Sequence, residues 1–71
     1  MIEPGQVYRS CDPRGGSRIR ISSWRTGDTH AYVVDAVTSK RYRRILVAAL
    51  HDSPTTRDGK PRRTGYALET R

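Results

Sequence analysis

The stretch "CDPRGGSRIRI", residues 11–21, admits two readings with different consequences. Glycines that lead into a helix form a phosphate cradle, with free N–H groups and the helix dipole meeting the anion. Glycines that lead into a strand only reverse the chain. Here Gly15-Gly16 run into Arg18-Ile19-Arg20-Ile21-Ser22-Ser23-Trp24, where polar and apolar residues alternate with the period of a half-buried strand. No Gly-Lys-Ser/Thr follows. Asp12 and Pro13 suit the early positions of a turn, and the glycines supply positive φ where the chain reverses. The stretch is read as a turn into a strand, and the enzyme that a phosphate loop implies is set aside.

The same period recurs on both sides. Gln6 to Cys11 reads as a short strand opened by the turn former Pro4-Gly5. Thr26-Gly27-Asp28 is turn chemistry, and Thr29 to Val37 carries Tyr32, Val33, Val34 and Val37, which suit a pleated surface. After the turn Thr38-Ser39-Lys40, the strand Arg41 to Val47 places Arg41, Arg43, Ile45 and Val47 on one face. Tyr42, Arg44 and Leu46 lie on the other. Ala48-Ala49-Leu50 breaks the alternation, and the spacing of Val47 and Leu50 fits one turn of 3₁₀ or α-helix. Residues 52–64 hold no apolar side chain and read as a basic flexible loop. Gly65 to Glu69 reads as a closing strand with Tyr66 and Leu68 inward.

No segment keeps a helical period over three turns, and no internal repeat is present. The pattern predicts an all-β domain over residues 1–71, a small five-stranded barrel with one helical turn before the last strand. Closing the sheet removes edges that a flat sheet leaves exposed. The expected core is Val7, Ile19, Ile21, Trp24, Ala31, Val33, Val37, Ile45, Val47, Leu50, Tyr66 and Leu68. A chain of 71 residues hides only about 60 % of its unfolded surface, so it has little room for a deep dry pocket.

Strand order and turns resemble the SH3-like small barrels, which include Tudor and KOW modules. The pieces "PGQVY" (4–8), "DPR" (12–14), "RIRI" (18–21) and "TGYAL" (64–68) also resemble short arginine-rich domains of actinobacteria and their phages. The first resemblance implies an SH3-like barrel that binds nucleic acid, a peptide or a protein surface. The second implies no defined activity.

Charge narrows the partner. Fourteen basic residues against seven acidic ones give a net charge of +7, and twelve of the fourteen are arginine, whose fork suits phosphate. With Ile19 and Ile21 inward, Arg18 and Arg20 face outward, and Arg14 at the loop tip extends their row. Tyr42 and Arg44 face outward on the later strand. Guanidinium groups that track phosphates, beside Tyr42 or Tyr32 whose aromatic face stacks on bases, describe a surface for single-stranded nucleic acid. The loop adds Arg57, Lys60, Arg62 and Arg63. Its "GKPRR" (59–63) resembles the Gly-Arg-Pro core of AT-hook segments but departs from it at Lys60 and at the acidic Asp58.

The expected function is non-catalytic nucleic-acid binding, to RNA or DNA, through Arg14, Arg18, Arg20, Tyr42, Arg44, Arg57, Lys60, Arg62 and Arg63. Five to eight phosphate contacts would give a slope of log K on log salt of roughly −4 to −7. The alternative is a protein-interaction module, centred on Trp24 with Tyr32 or Val34, that regulates a larger host or phage complex. The oligomeric state is open.

No catalytic residue, cofactor or metal is expected. Cys11, His30 and His51 match no zinc spacing, and Asp12, Asp28, Asp35, Asp52 and Asp58 sit mostly at turns. The lone cysteine points to a reducing compartment, and no apolar leader follows Met1, so a cytoplasmic protein without membrane contact is expected.

Overall fold

The computed structural model describes residues 2–70, so the ends of the expected 1–71 domain, Met1 and Arg71, lie outside the described residues. The chain is all-β, with strands β1 (Val7–Ser10), β2 (Ile19–Ser23), β3 (His30–Asp35) and β4 (Arg43–Leu46). A 3₁₀ turn (Val47–Ala49) follows, then β5 (Leu50–His51) and β6 (Tyr66–Thr70). They form one six-stranded sheet in the order β4-β3-β2-β1-β6-β5. Neighbours are antiparallel except β5 and β6, which run parallel.

β4 and β5 sit at opposite edges of that order, yet only the three-residue turn Val47–Ala49 separates them in the chain. The sheet must therefore curl until its edges approach, and the molecule is barrel-like. Two bonds fasten the turn: Val47 N–H donates to the Thr29 carbonyl at 2.8 Å, and the Leu50 N–H donates back to the Val47 carbonyl. The start of β6 is pressed against it. A Cβ built on Gly65 would fall 2.7 Å from the Ala49 carbonyl oxygen, and the Gly65 φ of +77° is in the left-handed region.

The alternation read from the sequence holds where it is longest. Ile19 and Ile21 of β2 are buried, with Ala31 and Val33 of β3 beside them. Trp24, Ile45, Val47, Leu50, Tyr66 and Leu68 are partly buried against this cluster. In β1 the inward residues are Gln6, Tyr8 and, toward the barrel end, Ser10, so Tyr8 fills the core place expected of Val7, which is only half-buried. The Tyr8 hydroxyl donates to Gln6 Oε1 at 3.2 Å, and the Glu3 N–H donates to the same oxygen at 2.9 Å. The buried polar pair is thereby satisfied. Burial, with a contribution from Asp52, pushes the Tyr8 phenol up.

Three expectations are corrected. The strands number six, because Leu50-His51 pairs with Tyr66-Ala67, a ladder too short to leave an alternation in the sequence. Val37 is 82 % exposed, since it lies in the β3–β4 turn beyond the end of β3. The 52–64 segment holds a small hairpin. Thr55 bridges Pro61, Thr56 N–H donates to the Lys60 carbonyl at 2.7 Å, and Arg62 N–H donates to the Pro54 carbonyl at 2.8 Å. Backbone pairing and polar side chains make this hairpin, so no apolar pattern announces it. Among the described residues no helix is long and apolar enough to cross a membrane.

Candidate nucleic-acid interface

The outer face of β3 and β4 carries the one stacked aromatic pair among the described residues. Tyr32 of β3 lies directly opposite Arg44 of β4, and Tyr42 stands two residues before Arg44 on the same face. The Tyr32 and Tyr42 rings stack with centroids 5.5 Å apart and planes 21° from parallel. Tyr32 is 37 % exposed and Tyr42 61 %. Opposite His30, Leu46 continues the face and is 54 % exposed. Aromatic pairing of this kind contributes roughly 0.5–1.5 kcal/mol beyond burial, enough to hold the rings without covering them.

Two concavities flank Tyr32. One, of about 200 Å³, is lined by Asp28, Thr29, His30, Tyr32 and Arg44. The other, of about 460 Å³, is lined by Ser23, Trp24, Arg25, Asp28 and Tyr32. Trp24 packs partly on the core while its indole N–H donates to the Asp28 carbonyl at 3.1 Å, so it is both packing and wall. Arg25 is exposed beside it and was no part of the sequence reading, because it falls in a turn outside any strand period.

The structure divides the expected basic residues. Tyr42 and Arg44 share the outer face, and Arg20 stands on the same face of β2, opposite Val34. Arg20, however, is committed to the fold: its guanidinium donates to the Ala36 carbonyl and to Ser39 Oγ, clamping the β3–β4 turn. Arg18 pairs with Glu69 at 3.0 Å. Arg14 folds back on Asp12 through its backbone N–H at 2.8 Å and its guanidinium at 3.3 Å. These contacts hold the Asp12 carboxyl below the usual carboxylate range, with Arg63 adding to them. Arg62 donates from Nε to the Ser53 carbonyl at 3.1 Å inside the hairpin. Arg57 and Lys60 flank the hairpin tip, exposed. Among the described residues, the side chains of Arg25, Arg44, Arg57, Lys60 and Arg63 have no hydrogen bond or ion pair with the protein, and Arg63 is exposed and acts on Asp12 through its charge alone.

The acidic residues serve turns. Asp35 Oδ1 accepts the Val37 and Thr38 amides at 2.9 and 3.0 Å, which lowers its carboxyl from the ordinary value, and Asp28 accepts the Arg25 amide at 3.3 Å. Among the described residues no three His, Cys, Asp or Glu side chains gather to hold a metal.

No family model, curated protein or solved structure matches this chain.

Proposed function

We propose that this is a non-catalytic, SH3-like barrel that binds single-stranded nucleic acid on the outer face of β3 and β4. The observation that carries the reading is the stacked, exposed Tyr32–Tyr42 pair with Arg44 beside it. A base stacks on the open Tyr42 ring, a contact worth about 1–3 kcal/mol, while Arg44 and Arg25 meet the adjoining phosphates. The hairpin residues Arg57 and Lys60 add contacts without sequence preference, and the protein works in the cytoplasm.

Because Arg14, Arg18, Arg20 and Arg62 already hold protein partners, fewer phosphates are neutralised than the charge alone implies. About four contacts correspond to a slope of log K on log salt of roughly −3 for a single strand. Labelled single-stranded RNA, single-stranded DNA and duplex DNA, titrated at low and physiological salt, test this. Micromolar binding of a single strand that weakens with that slope supports the reading. Duplex preferred over both single strands contradicts it, as does binding indifferent to salt.

A second reading is supported by Leu46, an exposed apolar residue on the unpaired edge strand beside the two tyrosines. In it the same face docks a protein, with Tyr32 and Leu46 at the centre of the patch.

A further inference from the structure

At one end of the barrel the inward face runs out of apolar residues. Ser10 of β1, Tyr66 of β6 and Arg43 of β4 converge there above Ile19, and Arg41 and the loop Gly15-Gly16-Ser17 complete the rim. They enclose a cavity of about 360 Å³. Continued backward, the alternation of β4 leads from Ile45 to Arg43, and Arg41, just before the strand with a φ of 60°, lines the same cavity, so this mouth is cationic.

The mouth is rich in donors and short of acceptors. Arg43 Nη2 donates to the Tyr66 hydroxyl at 3.2 Å, a neutral partner. Among the described residues neither Arg43 nor Arg41 has an ion pair. Among the described residues Asp35 is the one carboxylate in the wall; its Oδ1 is taken by the Thr38 and Val37 amides, and the charge of Arg41 also acts on it. The Gly15 amide donates to the Asp12 carbonyl at 2.9 Å, whereas the amides of Gly16 and Ser17 have no acceptor in the protein among the described residues. The loop is held at this height by close packing, since a Cβ on Gly16 would fall 2.9 Å from Ser10 Cβ.

We infer that the barrel mouth is a binding site for a phosphate monoester, seated between Arg41, Arg43 and the Gly16-Ser17 backbone. Guanidinium forks and main-chain N–H groups together are the donor set that such a dianion takes, and arginine binds it in two-point fashion. Two cations against one engaged carboxylate leave the site positive. This differs from the phosphate loop dismissed from the sequence: no helix follows the glycines, and the charge comes from the opposite side of the barrel. The site is separate from the tyrosine face and does not depend on its function.

The test is a nuclear magnetic resonance titration of the ¹⁵N-labelled protein at constant ionic strength. Sodium phosphate is compared with sodium chloride, then 5′-phosphorylated tetranucleotide with its 5′-hydroxyl form. The expected result is a saturable millimolar response to phosphate, not to chloride, at the Gly16 and Ser17 amides and the Arg43 Nε. Arg43→Gln is expected to weaken it about tenfold, from loss of charge-assisted hydrogen bonds. Arg41→Gln, away from the Tyr66 contact, is expected to weaken it in the same sense, and Arg9→Gln, an exposed arginine of β1 outside the cavity wall, to leave it unchanged. Dispersed spectra of each variant establish that it is folded. A preference for the 5′-phosphorylated strand assigns the ligand to strand ends; equal affinity for the two strands, with phosphate still bound, assigns it to small phosphorylated compounds. Absence of saturation at tens of millimolar phosphate overturns the proposal. So does a response spread evenly over the basic surface, or one that survives in both arginine variants.

Discussion

Substituting Gly65→Ala tests the curl of the sheet. Two costs follow from the geometry. With φ at +77°, any L side chain there occupies the left-handed region, at about 1–2 kcal/mol. The new Cβ also meets the Ala49 carbonyl oxygen at 2.7 Å, a backbone atom that cannot rotate aside, and the His51 ring at 3.0 Å. Forced overlap of that kind costs a further 1–3 kcal/mol or about that. Gly27 supplies the control, with φ +97° and nothing within 4 Å of its Cβ, so Gly27→Ala carries the first cost alone. A chain of 71 residues has a total stability of about 4–10 kcal/mol, so the difference is readable. Urea unfolding followed by Trp24 fluorescence, with a slope of about 1 kcal/mol per molar, should move the midpoint by about 2 M or more for Gly65→Ala. For Gly27→Ala it should move by about 1 M. Equal shifts would refute the reasoning, because the 3₁₀ turn would then not press on the start of β6.

Ile21→Ala removes a side chain that is 2 % exposed and is expected to cost about 2–5 kcal/mol, enough to leave the domain largely unfolded in mild urea. Asp35→Ala deletes the acceptor of two turn amides and should loosen the turn, seen as faster hydrogen exchange at Val37 and Thr38. Burial, then Arg62, holds the His51 imidazole below its ordinary value of 6.5, so the folded state resists protonation that the unfolded chain accepts. Stability is therefore complete above pH 7 or so and falls as the pH drops through 6.5 toward the folded value; His51→Gln should flatten that part of a stability–pH profile.

The fold was legible where alternation is long and one face is dry. Ile19 and Ile21 with Arg18 and Arg20 between and beside them fix the sides of β2, and Ile45 with Arg44 does the same for β4. A two-residue strand has no period, so β5 could not be seen until Tyr66 and Ala67 were found beside it. Val37 looked like core because β-branched residues suit strands, but the turn begins at Ala36 and carries it outward. In the candidate site Arg44 lies in β4 and Tyr42 just before the strand begins, so the period read from the sequence reaches Arg44 and stops short of Tyr42. Tyr42 and Tyr32 were alternatives in the sequence, and the register that sets Tyr32 opposite Arg44 brings the two rings together as a stack. The partners of the charges were not legible: Glu69 bonds Arg18 and the Ser39 hydroxyl bonds Arg20, both from positions distant in the chain. Arg43 was visible as a continuation of the core face, but the loop Gly15-Gly16-Ser17 that lines an open cavity with it and Arg41 was not.

The central claim is that a strand stacks on the Tyr32–Tyr42 face. Its most direct test is the affinity of a labelled single-stranded oligonucleotide for the native protein, Tyr42→Ala, and Val37→Ala, an exposed apolar side chain in the turn. The account predicts that Tyr42→Ala weakens binding by roughly 5- to 150-fold, the equivalent of one lost stacking contact, and that Val37→Ala changes nothing. A Tyr42→Ala protein that is folded and binds as the native one does would contradict it.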